Sequence, residues 1–228
     1  MAGKRWYDDS CGMAQGLNFV GDRWALHVVR ELLLGPKRFA DLRADLPRIS
    51  SNVLTQRLTE LEERGVLRRR RLPAPASVWV YDLTDWGAEL EPIIRQLGHW
   101  AARSPHFDRS SPLSCTSAVL SMRTMFRPGQ AEGVSVRIGF RLGDLTLDGR
   151  ILGGEFAIQA VDRLFGPGED GGPDAVVTAA PEVLAGVIFR GLDLDEVLES
   201  GALVLEGDRA AFERYRDCFS LPETAPIG

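Results

Sequence analysis

The sequence predicts an α+β chain in two parts. The first half is mostly helical and carries a basic hairpin; the second mixes short strands and helices. Three observations predict this. Apolar residues recur at helical spacing over Trp24–Leu34 and again from Ser51 to Arg64. Val134–Leu142 (V-S-V-R-I-G-F-R-L) alternates apolar and polar residues, the period of a half-buried strand. Between them lies the turn-rich stretch S-P-H-F-D-R-S-S-P, Ser104–Pro112, which reads as a linker and divides the chain into domains 1–104 and 113–228.

In the first half, W-A-L-H-V-V-R-E-L-L-L (Trp24–Leu34) reads as an apolar helix stopped by Gly35-Pro36. A short amphipathic helix follows, Arg38–Asp45, and Leu46-Pro47-Arg48-Ile49 breaks it. A longer helix runs from Ser51 to Arg64. Its Leu54, Leu58 and Leu61 form one stripe that must face a core, while Asn52, Thr55, Gln56 and Thr59 fall on the other side. Gly65 ends this helix. Two strand-like runs come next, Val66–Leu72 and Val78–Leu83, joined by a Pro/Ala turn and carrying four consecutive arginines, Arg68–Arg71. Thr84-Asp85 then caps a helix expected over Trp86–Arg103, with Leu90, Ile93, Ile94, Leu97 and Trp100 on a broad apolar face. That face is wider than a small domain needs for its own core, and it suggests a dimer contact.

Helix, turn, helix and basic hairpin make the layout of a winged helix-turn-helix. A two-helix corner beside a hairpin can also be ordinary packing, and an arginine run is often only a solvated face. Charge separates the two readings. Net charge is −5. Residues 1–109 hold 17 Lys/Arg and 14 Asp/Glu, a balance of +3, and residues 110–228 hold 10 and 18, a balance of −8. Residues 37–71 alone carry 10 basic and 5 acidic side chains. Positive charge gathers at the two-helix corner, and the acidic half is expected to point away from a polyanion.

In the second half, Ser114–Arg127 suits a helix. Leu145–Ile151 and Glu155–Val161 continue the strands after a Gly143-Asp144 turn, and 165–173 is a Gly/Pro/acidic loop. Ala175–Thr178 reads as a fourth strand. Pro181–Phe189 and Leu194–Glu199 read as helices, Leu203–Glu206 as a strand and Arg209–Phe219 as a closing helix. The sum is a mainly antiparallel sheet with helices on one side.

Composition narrows the function. Hydrophobic residues make up 44% and charged residues 26%, as in a globular domain. No apolar run approaches the roughly 20 residues that span a bilayer, and the first ten residues lack a leader's apolar segment. A cytoplasmic protein with no membrane partner is expected. Cys11, Cys115 and Cys218 are too scattered for a metal cluster or a disulfide framework. His27, His99 and His106 fit core or dimer positions, and no HExxH, GxSxG or P-loop pattern appears. No enzyme, cofactor or metal is expected.

Residues 11–103 resemble the HxlR-type family of bacterial winged-helix regulators. The match is carried by Cys11, V-G-D-R-W (Val20–Trp24), R-E-L-L-L-G-P (Arg30–Pro36) and R-F-A-D-L (Arg38–Leu42). It continues through L-P-R-I-S-S-N-V-L-T-Q-R-L-T-E-L-E-E-R-G-V-L (Leu46–Leu67) and Y-D-L-T (Tyr81–Thr84). The resemblance implies a homodimeric DNA-binding transcription factor whose first and last helices make the dimer contact. The tetra-arginine followed by P-A-P-A departs from it and concerns how the wing lies on its groove. Residues 113–219 are more weakly similar to a sterol-carrier-protein-2-type domain, through D-A-V-V-T-A-A-P-E-V-L-A-G-V-I-F-R-G (Asp174–Gly191) and E-S-G-A-L-V-L-E-G-D-R-A-A-F-E-R-Y (Glu199–Tyr215). That resemblance implies an apolar cavity for a hydrophobic small-molecule effector. The same residues, Val187, Ile188, Phe189, Leu203, Leu205, Phe212 and Phe219, could equally fill a solid core. The alternative function is a lipid or small-molecule carrier whose first domain serves dimerisation only.

By residue, Asn52, Thr55, Gln56 and Thr59 are expected in a major groove, where Asn and Gln can pair bidentately with adenine. Ser51 at the helix start offers backbone N–H to phosphate. Arg48 and Arg57 are candidate phosphate or guanine contacts, and Lys37 and Arg38 clamp backbone from the preceding helix. Arg69, Arg70 and Arg71 supply sequence-independent affinity, though strand alternation lets only every second one face the duplex. Cys11, with Lys4 and Arg5 nearby in sequence, is a candidate redox residue; more simply, it is a small buried residue at the dimer contact.

Overall fold

A computed structural model describes residues 6–108 and 111–226. The protein is a mixed α+β chain. It forms two compact units, Met1–Ile94 and Arg95–Gly228. The expected Ser104–Pro112 linker lies within the second unit, and its residues 109 and 110 fall outside the described part, as do Lys4 and Arg5.

The first unit contains α1 (Gly12–Val20), α2 (Ala25–Leu32), α3 (Phe39–Asp45), α4 (Ser51–Glu63), β1 (Leu67–Arg71), β2 (Trp79–Leu83) and α5 (Asp85–Ala88), and it ends within α6 (Leu90–Ala102). Its core is built from α2, α3 and α4: Val28, Val29, Leu32, Leu42, Leu46, Ile49, Leu54, Leu58 and Leu61 are all nearly inaccessible. Burying a leucine contributes about 2 kcal/mol, so the α4 stripe alone fixes that helix's rotation. Gly65 (φ +73°) closes α4 in the left-handed conformation, and Val66 N donates back to Leu61 O at 2.9 Å. The chain can then turn at once into β1. β1 and β2 pair antiparallel from Leu67↔Leu83 to Arg71↔Trp79. Lys37 and Tyr81 exchange backbone hydrogen bonds at 3.0 and 2.8 Å, an isolated bridge that ties the chain before α3 to the hairpin. This is a winged helix-turn-helix.

Two details differ from expectation. The helix expected over Trp86–Arg103 is two helices, α5 and α6, broken at Glu89. Pro92 explains the break: its ring has no N–H to donate and would clash with the preceding turn, so it is tolerated only in the first turn of a new helix. Thr84 still caps, accepting from Gly87 N at 3.0 Å. The closing helix ends at Arg216 rather than Phe219.

The second unit comprises α7 (Cys115–Met125), β3 (Val136–Leu142), β4 (Leu145–Leu152), β5 (Glu155–Ala160), β6 (Ala175–Ala179), α8 (Pro181–Phe189), α9 (Leu194–Glu199), β7 (Leu203–Gly207) and α10 (Arg209–Arg216). The sheet order is β5-β4-β3-β6-β7, antiparallel except for the central β3–β6 pair. That parallel pair requires the 161–174 segment to cross the sheet. Leu164 sits on Gly139 there, where a Cβ would come within 2.5 Å of Leu164 Cδ2. The sheet's other face meets an aromatic cluster of Phe126, Phe140, Phe156, Tyr215 and Phe219, with ring centroids 5.0–6.0 Å apart. Val187, Ile188, Leu203, Phe212 and Phe219 are buried. No described helix is long and apolar enough to cross a membrane.

Candidate nucleic-acid interface

α4 sorts its residues by face. Leu54, Leu58 and Leu61 are at most 1% exposed, while Ser51, Asn52, Thr55, Gln56 and Thr59 are exposed. The helix start is set by Ser50, whose Oγ accepts from Val53 N at 3.3 Å. Ser51 is therefore the first helical residue, at the end where unpaired amides and the positive end of the helix dipole lie. Thr55 Oγ1 donates to Ser51 O at 2.9 Å, and Gln56 Nε2 donates to Glu60 Oε1 at 3.1 Å. Both leave acceptor capacity facing outward. The turn before α4 is stitched by Arg43, whose Nη1 reaches Leu46 O at 3.4 Å and Pro47 O at 3.3 Å. Sequence reasoning missed Arg43. The available signal was a cation in the last turn of a helix running into a breaker, where carbonyls lack helical partners.

Arg57 does not lie on the exposed face. It is 7% exposed, with Nη1 2.5 Å from Asp22 Oδ2 and 2.8 Å from Glu60 Oε2. Arg64 joins the same group, 3.5 Å from Asp22 Oδ2, with Nη1 donating to Phe19 O. Asp22 stands in the tight α1–α2 turn, beside Trp24, which takes a left-handed φ of +80°. The V-G-D-R-W segment is thus shaped to bring one carboxylate to the back of α4. Arg57 is a brace of the reading helix, because a guanidinium this deep and doubly paired has no open side for phosphate. Lys37 is similarly committed: Nζ sits 3.1 Å from the fully buried Glu31 and 2.6 Å from Asp45. Arg38 and Arg48 are exposed.

The wing arginines divide by strand alternation. Arg68 and Arg70 share Asp82, at 3.7 and 2.7 Å. Arg69 and Arg71 lie on the other face; Arg71 Nε donates to Ser77 O at 3.1 Å, and the Arg69 guanidinium lies 4.8 Å over the Trp79 ring. The wing is anchored to α4, because Glu62 Oε1 accepts from Arg69 N at 3.0 Å.

Cys11 is exposed and forms the N-cap of α1. The backbone amides of Met13 and Ala14 at the start of the helix hold its thiol below the usual cysteine range. Cys218 is buried, and burial pushes its thiol up.

Two outcomes follow from this geometry. Arg57→Ala should lower the unfolding free energy by about 2–4 kcal/mol in urea titrations, because Glu60 and Asp22 each lose a close cationic partner. A value near zero would contradict the bracing role. In a pH series of iodoacetamide labelling read by peptide mass spectrometry, the thiolate form of Cys11 should appear at lower pH than that of free cysteine. Cys11 should therefore label fastest and Cys218 slowest; equal rates at the two would contradict this placement.

Comparison with known proteins agrees with the geometry. The HxlR-like helix-turn-helix family matches residues 19–107. YvaP, an uncharacterized HTH-type transcriptional regulator of Bacillus subtilis (strain 168), is 38% identical over 87 residues, spanning 38% of this chain and 81% of the relative. The HTH-type transcriptional regulator YodB of the same organism is 33% identical over 89 residues, spanning 39% and 80%. The solved structure of reduced YodB from B. subtilis covers 43% of this chain and 97% of its own, at 29% identity and a TM-score of 0.39. The family match leaves residues 108–228 outside it. The chain belongs to the HxlR-like helix-turn-helix family, and its N-terminal part is that of a DNA-binding transcriptional regulator.

Proposed function

We propose that the protein is a sequence-specific regulator that binds a two-fold-related operator as a homodimer, with its activity tuned by a hydrophobic small molecule held in residues 113–228. It is a binding protein rather than an enzyme. Asn52, Thr55, Gln56 and Thr59 read base edges in the major groove. Ser51 and Arg48 hold phosphate at the start of α4, Arg38 does so just before α3, and the exposed wing arginines Arg69 and Arg71 add charge attraction. The observation that carries this reading is the polar, exposed quartet on a helix whose opposite side is locked into the core.

Exposed apolar side chains support the dimer. Ile93, Leu97 and Trp100 stand on one side of α6 at 57%, 48% and 72% exposure, and Met13 and Leu17 are exposed on α1. Large hydrophobic residues spaced at three and four on a helix are the pattern of a face that another helix covers. Two copies would present two α4 helices about one helical turn apart on a palindromic site.

The effector reading rests on residues 113–219. Their closing run of strand, two helices, strand and helix, β6–α8–α9–β7–α10, supports a sterol-carrier-protein-2-like domain. A cavity of about 90 Å³ lies among Phe107, Leu113, Ser121, Met125, Ala185 and Phe189. It is well below the roughly 300–1,000 Å³ of ordinary ligand pockets, whereas an open groove of about 580 Å³ runs along Val187, Ile188, Phe189, Leu194 and Phe219.

Binding of duplex DNA should separate the roles. Gln56→Ala should cost roughly 1–3 kcal/mol of discrimination between operator and unrelated duplex. Arg71→Ala should weaken both equally and lower the slope of log K against log salt by about 1. Anisotropy titrations in which neither variant departs from wild type would contradict the assignment. Native mass spectrometry of the purified protein should give twice the 25.1 kDa chain mass, with extra mass from a carried small molecule. A bare monomer would remove both the dimer and the effector.

A further inference from the structure

The wing carries an aromatic residue that its position in the hairpin does not require. Trp79 is 55% exposed, next to Val80, which is 2% exposed. Alternation therefore turns the indole outward at the far end of the hairpin. It shares a face with Arg69 and Arg71, opposite the Asp82 side, and Arg71 is its register partner. The Arg69 guanidinium lies 4.8 Å from the Trp79 ring centroid. A cation this close to an indole face is held by the ring quadrupole, at a cost in rotamer freedom already met before any ligand arrives. The other face is partly neutralised by Asp82, which takes both Arg68 and Arg70. Arg69 is also fixed at its backbone, through Glu62 at the end of α4. Its guanidinium is thus pre-placed relative to the reading helix from both sides.

We propose that Trp79 is a positioning residue for DNA recognition: it holds Arg69 as the wing's specific contact with the duplex. Arg68 and Arg70 serve chiefly the hairpin, through Asp82. This rests on the DNA-binding reading of α4 and deepens it, by assigning one arginine of four and a residue outside the cationic run. The contact is a planar guanidinium stacked on indole, suited to entering a narrow, electronegative groove.

A double-mutant cycle tests it, with affinity for one operator duplex measured by anisotropy in fixed salt. Arg69→Ala and Trp79→Ala should each weaken binding roughly 5- to 20-fold. The double variant should be no weaker than Arg69→Ala alone, because Trp79 acts through Arg69. Trp79→Phe, which keeps a ring beneath the cation, should recover most of the affinity. All variants should melt within a few degrees of wild type, since both side chains are exposed. Losses that multiply in the double variant, a Trp79→Ala protein that binds like wild type, or Trp79→Phe as weak as Trp79→Ala would each overturn the proposal while leaving α4's role standing. A wild-type protein that ignores duplex DNA would overturn both.

Discussion

The N-terminal unit depends on burial of one side of α4. Leu54, Leu58 and Leu61 pack into the core with Val28, Leu32, Leu42 and Ile49, and this fixes the helix about its axis. With a helical repeat of 3.6 residues, a rotation of one position would bury Thr55 or Thr59 and expose a leucine. The exposed polar face of α4 is therefore a consequence of packing. Side chains that meet a duplex must be held in place before it arrives, and a leucine stripe worth about 6 kcal/mol does this without spending any polar group.

Electrostatics acts on top of that frame, at two depths. Inside, Glu31, Asp22 and Asp45 tie down Arg30, Lys37, Arg57 and Arg64, and those cations contribute to the fold. Outside, Arg38, Arg48, Arg69 and Arg71 keep exposed positive charge around the start of α4 and the wing. The ten basic residues between positions 37 and 71 thus divide between internal pairing and exposed charge. The second unit handles charge in the same way. Burial pushes the Asp148 carboxyl up, yet hydrogen bonds from Arg137 and Arg150 outweigh this and hold it below the ordinary carboxylate range.

Where an element is periodic, the sequence alone sorts its buried from its exposed side. The α4 stripe repeats at three and four residues, so its buried and exposed faces follow from spacing. The basic hairpin follows from Gly65 and the alternating run after it. Arg57 shows where spacing fails: it sits three residues from Leu54 on the buried side, and its partner Asp22 is 35 positions away in another turn. A cation at such a position looks like a solvated side chain until tertiary contact reveals the acid. The four wing arginines are intermediate, because strand alternation divides them into pairs, but only the register shows that Asp82 faces one pair and Trp79 the other. α1 is not legible from spacing, since G-M-A-Q-G-L-N-F-V carries two glycines and a weak apolar pattern. In the second unit the strands were legible from alternation, whereas the parallel β3–β6 pairing depends on a crossing segment with no periodic signal.

The most direct test of the central claim is amide hydrogen exchange of the protein with and without duplex DNA at low ionic strength, where sequence-independent binding suffices. Slower exchange confined to residues 48–59 and 68–79 is the predicted result, with residues 111–226 unchanged. Protection that appears in the second unit's sheet while α4 and the wing exchange as before would contradict the account.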